Sequence, residues 1–334
     1  SFEETRIVEW IEDRLSACGH LAVTRVGDNL VARTELGRDR RVVLAGHTDT
    51  VPANGNDGSR RAGDTLWGLG SADMKGGLAV MLTSARTHVD PAVDLTYVFY
   101  AREEVATVHS GLGELFAEVP ELLEGDVALL GEPTDAAIEA GCQGSIRADV
   151  VLVGSRAHTA RAWTGVNAVH RAGPLLEMLA AYEPRRPELA GCRFHEAMLA
   201  VGIEGGISGN VVPDEVRVTI AHRFAPDRDL DEAEAHLRSC LEPFLQTGDR
   251  IEIVDRSPAA PPSSDHPLVA GIIDRHSLEV RAKLGWTDVA RFAAHGVPAA
   301  NFGPGDPTLA HTPEERLEAS SLWRVWEVID DLVA

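Results

Sequence analysis

The feature that most constrains this chain is an alternation of short apolar strands with helices, broken once and then resumed. Residues 41–45, 95–100 and 127–130 are apolar runs of strand length. Between and around them, residues 2–17, 75–88 and 110–116 carry apolar side chains at helical spacing. Residues 21–26 and 29–35 read as a hairpin around Gly27-Asp28. Such alternation predicts an α/β fold, a mixed sheet with substantial parallel pairing and helices on both faces.

The pattern changes near Gly141. Strands are expected at 146–153, 198–202, 216–224 and 251–255, with helices at 167–182 and 230–245. This β-α-β-β-α-β order is that of a ferredoxin-like α+β unit. The Pro-rich stretch 257–267 then reads as a return linker, followed by a helix, a strand at 297–302 and a last helix at 315–332. The expected division is a first domain formed by 1–142 and 258–334, interrupted by an inserted α+β domain, 143–257. At 334 residues, two such domains have the ordinary size.

Bulk composition excludes some partners. Lys and Arg number 31 against 52 Asp and Glu, a net charge of −21. Such a surface repels phosphate backbones and anionic lipid, so neither nucleic acid nor membrane is expected as a partner. No apolar run approaches the length of a membrane span. The acidic, amphipathic start SFEETRIVEW has no basic segment followed by an apolar core, so no signal peptide is expected. The four cysteines, Cys18, Cys142, Cys192 and Cys240, lie far apart with no CxxC pair. A reducing cytoplasm fits them better than a disulfide scaffold.

In open α/β sheets, sites gather at the carboxyl ends of strands. Five such ends or adjoining loops carry candidate ligands: His47 and Asp49 after RVVLAG, Asp73 in GLGSADMKGG, Glu103 and Glu104 after YVFYA, Glu132 in GEPT, and His311 in AHTPEE. Singly, most have ordinary explanations, an Asp before a helix being usually an N-cap. Together, His47, Asp73, Glu104, Glu132 and His311 form an N/O donor set suited to Zn²⁺, and the lack of Cys favours a catalytic over a structural site. Their number suits two ions about 3.5–4 Å apart, with Asp73 bridging, His47 and Glu132 on one ion and Glu104 and His311 on the other. Glu103 is then left to move protons. Asp49 is placed to accept the second N–H of His47.

These motifs, in this order, resemble the di-zinc aminoacylase and carboxypeptidase family of amidohydrolases over essentially the whole chain. The stretches EAGCQGSIRADVVLVGSRAHTARAW, SGNVVPDEVRVTIAHRFAPDR and RAKLGWTDVARFAAHGVPAANFGPGDPTLAHTPEE are most similar to its actinobacterial desuccinylase branch. The resemblance implies hydrolysis of N-succinyl-LL-2,6-diaminopimelate by a cytoplasmic homodimer whose inserted domain serves dimerisation and acts as a lid. It implies two Zn²⁺ per subunit, with Co²⁺ as a substitute, on the ligands named above, with Glu103 as acid/base and a cis peptide at Asp73-Met74. It also implies that His158 reaches the partner subunit's site, and that Asn210, Arg223, Gly285 and Thr287 contact a small N-acyl amino-acid substrate. Two positions depart from the pattern of other desuccinylases: Cys142-Gln143 stands where two arginines are usual, and Arg102 where an Asp is usual. Arg161, near His158, is expected to compensate as a carboxylate ligand. The alternatives are acetylornithine deacetylase or another N-acyl-amino-acid hydrolase or peptidase, since the metal core is common to all, and a catalytically silent binding module of the same fold.

Overall fold

A computed structural model describes all of residues 1–334. The chain divides into two compact units, one made of Ser1–Gly141, Pro262–Lys283 and Thr287–Ala334, the other of Cys142–Pro261 with Leu284–Trp286.

The first unit is built on an eight-stranded mixed sheet. Its strand order is Ala22–Val26, Asn29–Arg33, Asp94–Tyr100, Arg41–His47, Val127–Leu130, Ala299–Asn301, Ile138–Ala140 and Val280–Ala282. The centre is parallel: Arg41–His47 pairs with Asp94–Tyr100 on one side and Val127–Leu130 on the other, and Ala299–Asn301 continues from there. Central strands buried on both faces need continuous apolar sequence, which VVLA and VALL supply. The register places His47 opposite Tyr100, so several strands end together and release their loops at one edge.

Helix Gly76–Thr87 packs unusually close to that edge. A Cβ on Gly77 would lie 2.1 Å from the Gly131 carbonyl oxygen, so only glycine permits the approach. A further three-stranded sheet, Arg60–Ala62, Thr65–Trp67 and Arg316–Glu318, had no sequence signal, because three-residue strands are too short to show a period. The expected last helix therefore starts at Ala319 and not at residue 315, the preceding residues being extended and paired with Thr65–Trp67.

The second unit has the order Ala197–Gly205, Glu215–Phe224, Gly144–Val153, Arg250–Ser257, antiparallel throughout. Ile146, Ala148, Val150, Leu152, Val218 and Ile220 bury one face beneath Leu175, Leu179, Leu237 and Leu241 of its helices. This is the ferredoxin-like arrangement. The helix expected over 167–182 is split into Ala168–Arg171 and Gly173–Ala180, since Pro174 lacks an N–H for a continuous ladder. The helix expected over 230–245 ends at Leu241 and tightens into the turn Glu242–Phe244, which contains Pro243. On the edge strand Ala197–Gly205, Leu199, Val201 and Ile203 are exposed. No helix of either unit is long and apolar enough to cross a membrane.

Candidate metal centre

The seven residues named above, His47, Asp49, Asp73, Glu103, Glu104, Glu132 and His311, all belong to the first unit. His47 ends its strand and is buried. Its Nε2 lies 3.1 Å from Asp73 Oδ1 and 4.0 Å from Glu132 Oε1. The second oxygen of Asp73, Oδ2, lies 3.1 Å from His311 Nε2, which is 2.8 Å from Glu104 Oε1. Three donor groups each have their ligand atoms within 4.8 Å of one another: one is His47/Glu103/Glu104, and the other two, His47/Asp73/Glu132 and Asp73/Glu104/His311, share Asp73. Asp73 presents one oxygen to each of these two. It sits in Ser71–Lys75, where the backbone at Asp73 and Met74 is non-helical and the bond between them is cis, as the resemblance implies.

The donor set fits divalent cations. Glu132 Oε1 is buried without a hydrogen-bond partner, a costly arrangement unless a cation faces it. Burial and the neighbouring Asp73 push the Glu132 carboxyl up to about 7. Hydrogen bonding to Asp73 raises His311 to about 9. For Asp73, burial acts upward, but the hydrogen bonds from His311 and His47 prevail and hold it below the usual carboxylate range.

Around the ligands, Asp49 organises the loops. Its carboxylate accepts the backbone N–H of Glu103 at 3.0 Å and of Glu104 at 3.2 Å, and the Ser1 hydroxyl at 2.6 Å. For His47 Nδ1 the nearest acceptor is the Asp49 backbone carbonyl, at 3.1 Å, with the side chain at 3.5 Å. The Glu103 carboxyl is raised well above its usual range by removal from water, with the charges of Asp288, Glu132 and Glu104 adding to it. Arg102, at φ 62°, turns away from the ligands to bond the His109 carbonyl and Glu114, which pins the Glu-Glu loop from outside.

The remaining sequence-predicted residues fall elsewhere. His158, Arg161, Asn210, Arg223 and Gly285 belong to the second unit, and Thr287 to the first. His158 Nδ1 accepts the Ala160 N–H at 3.0 Å, so the neutral ring carries its proton on Nε2. His158, Arg161 and Asn210 are exposed, and the Asn210 carbonyl accepts the Thr159 N–H. Arg223 is half-buried on its strand with no ion pair, and desolvation lowers its pKa. Thr287 is buried, its hydroxyl bonded to Asn301. Gln143 is also buried, and its carbonyl accepts the His195 N–H. The residue the sequence reading missed is Glu315. Nothing but its place at the end of AHTPEE marked it.

The model of the peptidase family M20/M25/M40 matches residues 43–334. The chain belongs to that family. Among curated relatives, the M20 chain is 42% identical over 335 residues to the succinyl-diaminopimelate desuccinylase of Corynebacterium glutamicum, covering 98% of this chain and 91% of the relative. It is 46% identical over 323 residues to a protein of Mycobacterium tuberculosis that bears the name "Putative succinyl-diaminopimelate desuccinylase DapE", covering 96% and 90%. The fold matches a tripeptidase structure from Staphylococcus aureus with a TM-score of 0.80 at 20% identity, covering 98% of this chain and 91% of that one. It also matches an M20 metallo-carboxypeptidase from Sulfolobus solfataricus, with a TM-score of 0.75 at 14% identity, covering 98% and 93%. This M20 member is a metal-dependent amidohydrolase acting on a small-molecule substrate.

Proposed function

We propose that the chain hydrolyses N-succinyl-LL-2,6-diaminopimelate, adding water across the amide to release succinate and LL-2,6-diaminopimelate for lysine and cell-wall precursor synthesis. Identity of 46% and 42% to proteins carrying the desuccinylase name, over nearly the whole of each chain, is the observation that carries this reading.

The metal is proposed to be zinc, two ions per subunit, with Co²⁺ able to replace it. His47, Asp73 and Glu132 would hold one ion, and Asp73, Glu104 and His311 the other. An imidazole and carboxylate set without thiolates supports that choice. When bound, such a pair acidifies a water and polarises the amide carbonyl.

The chain's own groups do the rest. Glu103 takes a proton from the attacking water and delivers it to the leaving nitrogen. Its displacement from the usual carboxylate range suits a group that must both accept and donate. Asp49 holds His47 and the Glu103 loop in one frame. His158 of the partner subunit donates from Nε2 to the developing oxyanion, which the Nδ1 contact to Ala160 supports. Arg223 and Asn210, with Arg161, bind substrate carboxylates, and Gly285 and Thr287 form the turn beside them. An arginine half-buried without an ion pair supports that role for Arg223. A homodimer is proposed, its support being the exposed Leu199, Val201 and Ile203 on an edge strand. The four cysteines are free thiols, which supports a cytoplasmic location.

The test is a purified, metal-defined enzyme assayed on succinyl-diaminopimelate, acetylornithine and a dipeptide panel. The reading requires the highest kcat/KM on the first. A higher value on acetylornithine or a dipeptide refutes it.

A further inference from the structure

The segment that carries Asp73 cannot satisfy its own backbone. Asp73 and Met74 have φ/ψ of −114°/94° and −132°/35°, outside the helical region, and Gly70 has φ 76°. The N–H groups of Gly70, Ala72 and Asp73 therefore need acceptors from another part of the chain.

All three find the same one. Gly70 N–H donates to Glu315 Oε2, and the N–H groups of Ala72 and Asp73 donate to Glu315 Oε1, each at 3.0 Å. Glu315 is 1% exposed, a buried carboxylate. Lys75 supplies opposite charge nearby. The backbone of Glu315 extends the tie: its carbonyl accepts the Gly68 N–H at 3.2 Å, and its own N–H donates to the Thr312 carbonyl at 3.2 Å. That carbonyl also accepts from Asn56 Nδ2 at 3.0 Å, while the Asn56 carbonyl accepts the Leu69 N–H at 2.8 Å. The turn bearing His311, itself at φ 63°, is thus fastened to the loop bearing Asp73.

We propose that Glu315 is a positioning residue that sets Asp73 and His311 in mutual register, so that both face the same cation. This rests on the metal-site reading above. Asp73 and His311 come from opposite ends of the sequence, and their side chains are 3.1 Å apart. A charge-assisted bond to the Asp73 N–H fixes that residue's backbone, and through it the direction of its carboxylate. Holding ligand atoms in place before the ion arrives is the usual effect of groups behind a metal site, and removing one costs about 10- to 100-fold in metal affinity or activity.

Glu315→Gln keeps the volume and one acceptor oxygen but turns a donor toward at least one of the three N–H groups. Zn²⁺ titration against a chromophoric chelator, together with thermal unfolding of the metal-free protein, tests it without any substrate. Exposed Glu318, bonded to Thr65, is the control as Glu318→Gln. The expected result for Glu315→Gln is cooperative unfolding of the metal-free protein at a lowered Tm, as for a buried N–H that loses its acceptor, affinity for the weaker Zn²⁺ lower by about 10- to 100-fold, and a fall in kcat with KM retained. Glu318→Gln should match wild type. If wild type binds two ions and Glu315→Gln binds them equally well, the role of Glu315 is overturned while the metal site stands. If Glu315→Gln loses cooperative unfolding without metal, the residue is scaffold and the role is likewise overturned. Wild-type protein that takes up fewer than two ions overturns the metal-site reading itself.

Discussion

Asp49 accepts the backbone N–H of Glu103 at 3.0 Å, so the residue two beyond His47 fixes the loop that carries the proposed acid/base. Its other oxygen takes the Glu104 N–H. One carboxylate therefore aligns the ends of two neighbouring parallel strands, Arg41–His47 and Asp94–Tyr100. An error in its position would displace a metal ligand and the proton carrier together.

Asp49→Ala should accordingly reduce both stability and turnover. It strands two backbone donors that are poorly placed for water, at about 1–3 kcal/mol each. Urea unfolding of the variant should show a loss in that range, and kcat should fall by about two orders of magnitude or more, as expected when acid/base geometry is disturbed. Stability and kcat both near wild type would show that the loops hold themselves.

Glu103 and Glu104 are adjacent in sequence, and the proposed function gives them separate roles. Glu103→Ala should retain both metals while kcat falls by about 10²- to 10⁴-fold, the range for loss of general acid–base help. Glu104→Ala should instead lose one ion, because it removes a carboxylate from the Asp73/Glu104/His311 cluster. Metal content by elemental analysis separates the two outcomes, and equal metal loss in both variants would contradict the division.

Three of the ligands, His47, Glu104 and Glu132, were legible because they follow apolar runs that had to be buried strands, where a polar group stands out against its neighbours; Asp73 and His311 follow no such run and were legible only through the motifs GLGSADMKGG and AHTPEE. His47 after VVLAG and Glu132 after VALLG are of the first kind. Glu315 gave no such signal: it lies in an irregular stretch between Pro313 and a three-residue strand, and its three bonds depend on a loop 245 to 242 residues away. Arg102 looked like a departure from the desuccinylase pattern, and only its bonds to the His109 carbonyl and Glu114 show that it points away from the ligands. Helix breaks were visible in the residues and overrun by the periodicity: Pro174 and Pro243 each mark one. The ferredoxin-like order survived these errors because alternation on long strands such as Gly144–Val153 is hard to mistake.

The second unit should show an acid-sensitive tie. The buried Asp249 carboxylate accepts two bonds from Arg171, at 2.9 and 2.6 Å, and the backbone N–H groups of Val153 and Gln246. Burial acts upward on its pKa, but these partners prevail and lower it. A carboxylate whose folded pKa is depressed contributes stability above its unfolded pKa of about 4, lost as pH falls through the folded value. Asp249→Asn should cost about 1.5–3 kcal/mol near neutrality, as for loss of hydrogen bonds to a charged group. The gap from wild type should narrow as the pH is taken below about 4. A gap that stays constant down to the acid limit would mean that charge at Asp249 is not the source.

The proposed action of His158 across a homodimer can be tested with mixed dimers. His158→Ala and Glu103→Ala homodimers should each be nearly inactive. After subunit exchange, one hybrid site combines an intact Glu103 with His158 of the partner subunit, and activity should return in part. Exchange verified by mass, with no recovery of rate, would place His158 outside the partner's site.

Recognition of the charged substrate must overcome the protein's own field. A net charge of −21 repels a succinylated diamino acid with several carboxylates, so local cations have to dominate near the site. Gln143, where an arginine is usual in other desuccinylases, is buried and bonded to His195, so it offers no charge in compensation. Arg223 remains half-buried without an ion pair, and Arg161 is exposed without one. A charge-assisted hydrogen bond is worth about 1.5–3 kcal/mol, so Arg223→Ala should lower kcat/KM on succinyl-diaminopimelate by about 10- to 100-fold. Arg161→Ala should have a smaller effect of the same sign, since water screens an exposed guanidinium. Each variant should also be assayed on an acyl substrate lacking the succinyl carboxylate. A smaller loss on that substrate assigns the arginine to the succinyl end. Equal losses assign it to the diaminopimelate end, and unchanged kinetics on both would remove it from the binding site.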